Sequence, residues 1–281
     1  MNFSTRHGMP AVPSSLRVER RAHPAGSRRS RSTEHSLAIA SPLLLLAAWQ
    51  LGATAGWIDA RFFPAPTAIF AAAWSMAASG ELWHHVATSS GRIVVGFLMG
   101  AVPGIVLGMA MGMNRYCRAV CQPLINAVYP IPKIAVLPLI LLVLGLGEAS
   151  KYAVIAVGVF FQVVITTTAG ISAIEKIYFD VASSFGAGRL KTITSVLLPG
   201  SLPVIFAGVR LGIGVALLLV VAAEMVAAKS GLGFLIWQSW QMFSVENMYV
   251  GLLMIALLGV LFFQAIALLE GRLLRWKPAI A

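Results

Sequence analysis

Few side chains in this sequence could do chemistry, and the most conspicuous are charged residues inside long apolar stretches. Arg210 and Glu224 both lie within the apolar stretch 203–228. A charge at the centre of a membrane helix costs about 2.5–3.5 kcal/mol on insertion scales, so each must pair, meet water or reach the membrane surface. Both residues are candidates for a translocation path. Arg210 could instead snorkel to the interface, and Glu224 could serve as a gate or a scaffold.

The remaining reactive residue types do not form a catalytic or metal-binding pattern. All five histidines fall outside the apolar stretches, and neither His-Glu-x-x-His nor Gly-x-Ser-x-Gly occurs. Cys117 and Cys121 supply only two ligands, too few for a metal site. No lysine follows a glycine, which excludes a phosphate-binding loop of the Walker type. We therefore expect no enzymatic activity, no metal and no cofactor bound by this chain.

The elements that must position these charges are membrane helices. With 58% hydrophobic and 11% charged residues, the chain of 281 residues needs lipid as its solvent. Apolar runs of nearly membrane-spanning length predict an all-α integral membrane protein with about six transmembrane helices. The predicted spans are 37–56, 92–113, 129–146, 152–174, 203–228 and 248–269.

Basic residues are distributed unevenly between the connections of these spans. Fifteen of the 21 lysines and arginines fall in the N-terminal segment, the second and fourth connections and the C-terminal segment. Because cytoplasmic connections collect Lys and Arg, both termini are expected in the cytoplasm. The charge is spread over every inner connection, which argues against nucleic-acid binding. Residues 1–35 are expected to form a disordered basic cytoplasmic tail before the membrane domain at 36–278.

Glycine and proline give the spans further character. Gly96, Gly100, Gly104 and Gly108 recur every four residues along one face of the second span, which indicates close helix packing and leaves a sliding surface open as an alternative. The third span begins Tyr-Pro-Ile-Pro at 129–132, and this broken start makes it a candidate to line the path. Lys133 is expected to snorkel toward headgroups. Short interfacial helices are expected at about 66–78 and 233–243.

The long inner connection 175–203 carries the most specific pattern. Two short amphipathic helices joined at its glycines fit the sequence, in which Asp180 and Ala182 precede Gly186, and Leu198-Pro199 follow. This spacing resembles the EAA loop of ABC importer permeases, with Asp in place of Glu and Val181 in place of Ala. The wider chain, about 40–278, resembles permeases of the nitrate, sulfonate and taurine importers. The stretches that carry this similarity are Phe63-Pro64-Ala65-Pro66, 79–83, Gly91-Arg92, Gly96-Phe97, 132–147, Glu224 and 230–233.

The resemblance implies a type I ABC importer transmembrane domain in the bacterial cytoplasmic membrane. Its expected partners are a second permease copy in a homodimer, two ATPase subunits that use ATP, and a substrate-binding protein in the periplasm or outside the cell. The cargo would be a small anion, either an aliphatic sulfonate or taurine, or nitrate. An ATP-independent secondary transporter or channel stays open as the alternative. The residues implied to couple transport to the ATPase are Asp180, Ala182, Gly186, Ala187, Leu198 and Pro199.

Overall fold

The structure, a computed structural model, describes residues 28–274, and within this range it contains helices and no strands. The chain divides into two units, residues 1–51 and 52–281, and most of the described part of the first unit is one helix. The expected basic tail at 1–35 lies outside the described residues up to position 27. Its last residues belong to the first helix, which begins at Arg28.

The helices follow one another with short connections. They are α1 Arg28–Thr54, α2 Pro66–Ala78, α3 Glu81–Met113, α4 Arg115–Val128, α5 Leu137–Leu144, α6 Glu148–Ser172, α7 Lys176–Ser184, α8 Arg189–Thr192, α9 Leu198–Ala227, α10 Leu232–Gln241 and α11 Val245–Leu273. A 3₁₀ turn at Lys133–Val136 precedes α5, and a π-helical turn at Ile193–Leu197 joins α8 to α9.

Four helical stretches of the described chain are long and apolar enough to cross a membrane. They are Glu81–Met113, Glu148–Ser172, Arg189–Ala227 and Val245–Leu273, and they match four of the six predicted spans to within two residues at the ends that the predictions overrun. The predicted span 129–146 is not one straight helix, because Arg115–Val128 and Lys133–Leu144 form a pair bent by 86°. The predicted span 37–56 lies in α1, whose apolar part, Ala40–Thr54, is shorter than the four full spans. Six is therefore an approximate count.

The core of the second unit lies where α6 packs between α3 and α9. Its fully buried side chains include Ile93 of α3, Val159 of α6 and Val220 of α9. Around this core, α10 packs against α9 and α11, and α2 packs against α11 and α3. The helices expected at 66–78 and 233–243 are present as α2 and α10.

The glycine series on α3 faces α6. A Cβ atom built at Gly96, Gly100 or Gly108 would come within 3 Å of α6, and at Gly104 it would lie 3.1 Å from the Phe160 carbonyl oxygen. Such small residues let two helix backbones approach closely, which compensates for the weak hydrophobic drive to helix association in lipid.

The reversal from α3 to α4 is held by two side chains. The Asn114 carboxamide oxygen accepts hydrogen bonds from the amides of Tyr116 at 2.9 Å and Cys117 at 3.4 Å, as an N-cap of α4. The Arg118 guanidinium donates to the carbonyl oxygens of Met111 and Gly112 at the end of α3. These bonds satisfy helix-end groups that would otherwise lack partners.

Candidate functional site

A cluster of charges, three of them buried, joins three helices at the end of the bundle where α6 begins and α9 ends. We call it the ionic cluster, and it consists of Ser89, Arg92, Glu148, Lys151 and Glu224. Arg92, on α3, is 3% exposed and donates to both carboxylate oxygens of Glu148, at 2.7 and 2.6 Å. It also donates to Glu224 at 2.8 Å, and Lys151 lies 3.4 Å from Glu148.

Glu224 is the most enclosed member of the ionic cluster, with no solvent exposure. Its carboxylate accepts hydrogen bonds from the Ser89 hydroxyl at 2.8 Å, from Arg92 and from the Gly233 amide at 2.8 Å. Two formal positive and two formal negative charges meet in the cluster. The charge of Glu224 is thus compensated, as a carboxylate fully buried in protein requires.

The ionic cluster also fixes the start of α10. The amide of Gly231 donates to Nδ1 of His85 at 3.0 Å, and the amide of Leu232 donates to the Ser89 hydroxyl oxygen at 2.8 Å. Together with the bond from Gly233 to Glu224, these contacts satisfy the free amides at the helix N-terminus, where a carboxylate is favourable. Gly231 has a φ of +114°, and a Cβ atom there would collide with the Glu224 carboxylate. The amides of 231–233 bind the ionic cluster and His85, and the backbone of Gly231 requires glycine, which accounts for this part of the Ser-Gly-Leu-Gly segment at 230–233.

The sequence pointed to Glu224 alone as a functional member of this group. Arg92 and the Ser-Gly-Leu-Gly segment were visible only as parts of the family-like stretches, and Ser89 and Glu148 carried no separate signal. Arg92 is 56 residues from Glu148 and 132 residues from Glu224 along the chain, so no local pattern predicts that they meet. The sequence indicated only that a buried Glu224 would need a positively charged partner, without indicating which residue supplies it.

Arg210, the other predicted path residue, lies elsewhere. Its guanidinium forms an ion pair of 2.5 Å with Glu270 near the end of α11, and its side chain is 44% exposed. The structure does not bring Arg210 and Glu224 into one site. Each of them is paired with an opposite charge from another helix.

The glycine-containing connection between α7 and α8 forms a defined turn. Gly186 has a φ of +69°, its amide donates to the Ser183 carbonyl at 2.9 Å, and the Ala187 amide donates to the Ala182 carbonyl at 3.0 Å. These two bonds form a Schellman motif. Glycine is favoured at position 186 because the motif requires a left-handed φ there, which a residue with a Cβ atom rarely adopts. Ala182, whose carbonyl accepts the second bond, is 9% exposed.

The surface of this connection is unusually apolar. Phe185 is 87% exposed and Leu190 is 75% exposed, one on each side of Gly186. Asp180 is exposed on α7, while Leu198 and Pro199 open α9 directly after the π-helical turn. A cleft of about 980 Å³ lies beside the connection, and its charged lining residues are Arg115, Arg118, Lys176, Asp180 and Arg189. The connection thus presents both apolar and basic side chains.

The Lys133 side chain contacts the backbone just before it, and its snorkelling toward headgroups stays a prediction. Its ammonium donates to the carbonyl oxygens of Val128, Tyr129 and Ile131 at 3.1, 2.8 and 2.8 Å. It therefore holds the sharp break between α4 and α5. The sequence indicated the break through its prolines but not the direction of the chain after it.

These elements define a polytopic helical membrane protein with a charged cluster at one end and a glycine turn with exposed apolar side chains between α7 and α8. The family described as binding-protein-dependent transport system inner membrane component matches residues 104–275. The putative aliphatic sulfonates transport permease protein SsuC of Escherichia coli (strain K12) is 35% identical over 85% of this chain and 90% of its own length. The taurine transport system permease protein TauC of the same organism is 32% identical over 89% of this chain and 92% of its own length.

A solved structure of the MetNI methionine ABC transporter, in inward-facing conformations, shares the fold. It matches with a TM-score of 0.50 and 18% identity, over 70% of this chain and 94% of that chain. The chain belongs to the family of binding-protein-dependent transport system inner membrane components. The predicted resemblance to ABC importer permeases and the predicted fold class are thereby confirmed. The family is a transporter permease subunit, so the chain is not an enzyme.

Proposed function

We propose that this chain is the permease subunit of an ATP-driven importer that carries a small anion into the cytoplasm. The sulfonate and taurine permeases among its relatives support an aliphatic sulfonate or taurine as the cargo, with nitrate as a further candidate. ATP is hydrolysed on a separate subunit, and this chain binds no cofactor. A substrate-binding protein delivers the cargo on the opposite side of the membrane.

The observation that carries the coupling proposal is the apolar turn between α7 and α8. Phe185 and Leu190 are 87% and 75% exposed on the two sides of Gly186, and two large apolar side chains on one short connection suit a surface that a partner covers. Two ATPase subunits and two copies of this chain would allow each turn, formed by Ala182, Gly186 and Ala187, to enter one ATPase. Asp180, Leu198 and Pro199 flank that contact.

The orientation follows from the charge distribution. The connections that hold Arg115, Lys176 and Arg189 face the cytoplasm, together with both termini, because cytoplasmic loops collect basic residues. The ionic cluster then lies at the outer end of the bundle. There it serves as a scaffold for α10, which fits the second of the two roles considered for Glu224.

The test is purification of the tagged chain from its native membrane in a mild detergent, followed by identification of bound proteins by mass spectrometry. A stoichiometric ATPase is expected for the unaltered chain, and Phe185→Ser should lose it. Phe243→Ser is the matched control, because Phe243 is 89% exposed but lies in the connection between α10 and α11.

Proteoliposomes separate the proposal from its alternative. The purified complex, supplied with the binding protein and ATP, should take up radiolabelled taurine or ethanesulfonate. A lone chain that transports without ATP would instead establish the secondary transporter or channel.

A further inference from the structure

A positive charge lies half way along the bundle, at the break between α4 and α5. The Lys133 Nζ atom is 4.8 Å from the ring centroid of Phe161, which lies in the middle of α6. At 1.5 Å of rise per residue, about 20 Å of helix separates Phe161 from the Glu148 end and about 17 Å separates it from the Ser172 end. The ammonium is therefore as far from both ends of the span as the helix allows.

This charge is solvated but not neutralised. Three carbonyl oxygens at the end of α4 accept its hydrogen bonds, and the rings of Phe161 and Tyr129 lie 4.8 and 5.6 Å from it. Carbonyl dipoles and ring faces stabilise a cation without adding a formal negative charge. Across residues 28–274, no carboxylate lies within ion-pair distance of Lys133, whereas Arg92 and Arg210 both have acidic partners.

Polar groups that suit an anion accompany this ammonium. Lys133 is half-buried, and Tyr129 is 45% exposed with its hydroxyl 3.5 Å from the Gln162 carboxamide oxygen. A phenol and a carboxamide both donate hydrogen bonds to oxyanions. An ammonium and a phenol from the break between α4 and α5 thus lie beside an amide near the middle of α6.

We propose that Lys133, with Tyr129 and Gln162, forms a transient subsite for a small oxyanion such as an alkylsulfonate on the translocation path. This proposal rests on the proposed function. Attraction between opposite charges is strong where water is scarce, so one unpaired cation there favours an anion. The carbonyl oxygens compete with the anion for the ammonium, which keeps binding weak enough for release, as conduction requires.

A purely structural role must be separated from this one, because Lys133 also pins the α4–α5 break. Lys133→Gln removes the charge and keeps donors for the carbonyl oxygens, and Lys133→Arg keeps the charge. Gln162→Glu leaves Lys133 and its hydrogen bonds in place and puts a negative charge beside the subsite. Gln162→Met is the matched neutral control for that change.

The experiment uses the complete complex in proteoliposomes, with its ATPase and binding protein, and ethanesulfonate as the probe. Import and the ATP hydrolysis stimulated by the loaded binding protein are measured in parallel. Lys133→Gln and Gln162→Glu should each lower import by about tenfold or more, the factor expected for the loss of one charge interaction at this depth. Lys133→Arg should restore most of the import, and ATP hydrolysis should persist in the charge-altering variants.

Every outcome bears on the proposal. Unchanged import in Lys133→Gln or in Gln162→Glu overturns it, and so does a parallel loss of import and ATP hydrolysis, because the lysine would then act only as a structural pin. A similar loss in Gln162→Met assigns the effect to shape instead of charge and also overturns it. If the unaltered complex imports no anion, the proposed function itself fails, and that result is distinguishable because it precedes any variant.

Discussion

Removal of Arg92 should be among the most damaging single changes in this protein. Arg92→Met leaves Glu224 fully buried, with hydrogen bonds from Ser89 and Gly233 but without a positive charge. Breaking a buried ion pair by removing one partner costs about 3–5 kcal/mol. The two remaining donors and the N-terminus of α10 offset part of this cost. We therefore expect a loss of about 3 kcal/mol in the free energy of unfolding.

Removal of the negative partner, in Glu224→Gln, should cost less free energy of unfolding than removal of Arg92. In Glu224→Gln the amide oxygen still accepts a hydrogen bond, and Arg92 keeps both bonds to Glu148, which is 48% exposed. The expected loss is about 1–2 kcal/mol. In the double variant neither buried charge is stranded, so its cost should fall short of the sum of the two single costs by about 2 kcal/mol.

The assay is equilibrium unfolding of the purified chain in mixed micelles, with the four proteins of the double-mutant cycle compared under one condition. Arg61→Met is the control, because its ion pair with Asp59 is also 2.8 Å long but lies at the surface, and no measurable change is expected. If Arg92→Met is as mild as this control, or if the two single costs simply add, then the ionic cluster is not a coupled buried network.

Three other predictions concern helix packing at Gly100, the turn at Gly186 and the ion pair between Arg210 and Glu270. Gly100→Ala should cost about 1–3 kcal/mol, because its Cβ atom would meet an α6 carbonyl, whereas Gly91→Ala on the same helix has open space and should be near neutral in the same unfolding assay. Gly186→Glu should leave the chain in the membrane and abolish ATP-driven uptake, while Gly271→Glu, also in open space, should transport; uptake by the first variant would refute the coupling role. Arg210→Gln should lower stability by about 1 kcal/mol or less, since its ion pair with α11 is half exposed, and unchanged uptake would remove Arg210 from the path.

Sequence patterns predicted the parts of this fold that depend on local spacing. Glycines repeated every four residues lie on one helix face whichever helix packs against it. The series from Gly96 to Gly108 therefore predicts close helix packing, although it does not identify α6 as the partner. The turn at Gly186 was readable for a similar reason, since a left-handed residue after a short amphipathic helix favours glycine.

Features that depend on register between distant helices could not be predicted in this way. Arg92 and Glu224 are 132 positions apart, and no local pattern around either residue predicts that it contacts the other. The contacts of Lys133 could not be predicted for a second reason. The prolines predicted a break in the helix, but the position of the Lys133 ammonium depends on the 86° bend, which brings it onto the carbonyl oxygens at the end of α4.

The stretch Arg189–Ala227 is 39 residues of helix without a loop, and it begins at the turn between α7 and α8 and carries Glu224 close to its other end. From Arg189 to Glu224 this is a lever of about 53 Å. The contacts of Glu224 with α3 and α10 make its far end the natural pivot. A tilt of about ten degrees about that pivot carries the Arg189 end through about 9 Å, the arc given by the same helix length. The π-helical turn at Ile193–Leu197 lies close to the Arg189 end, so about three quarters of the lever length lies between it and Glu224.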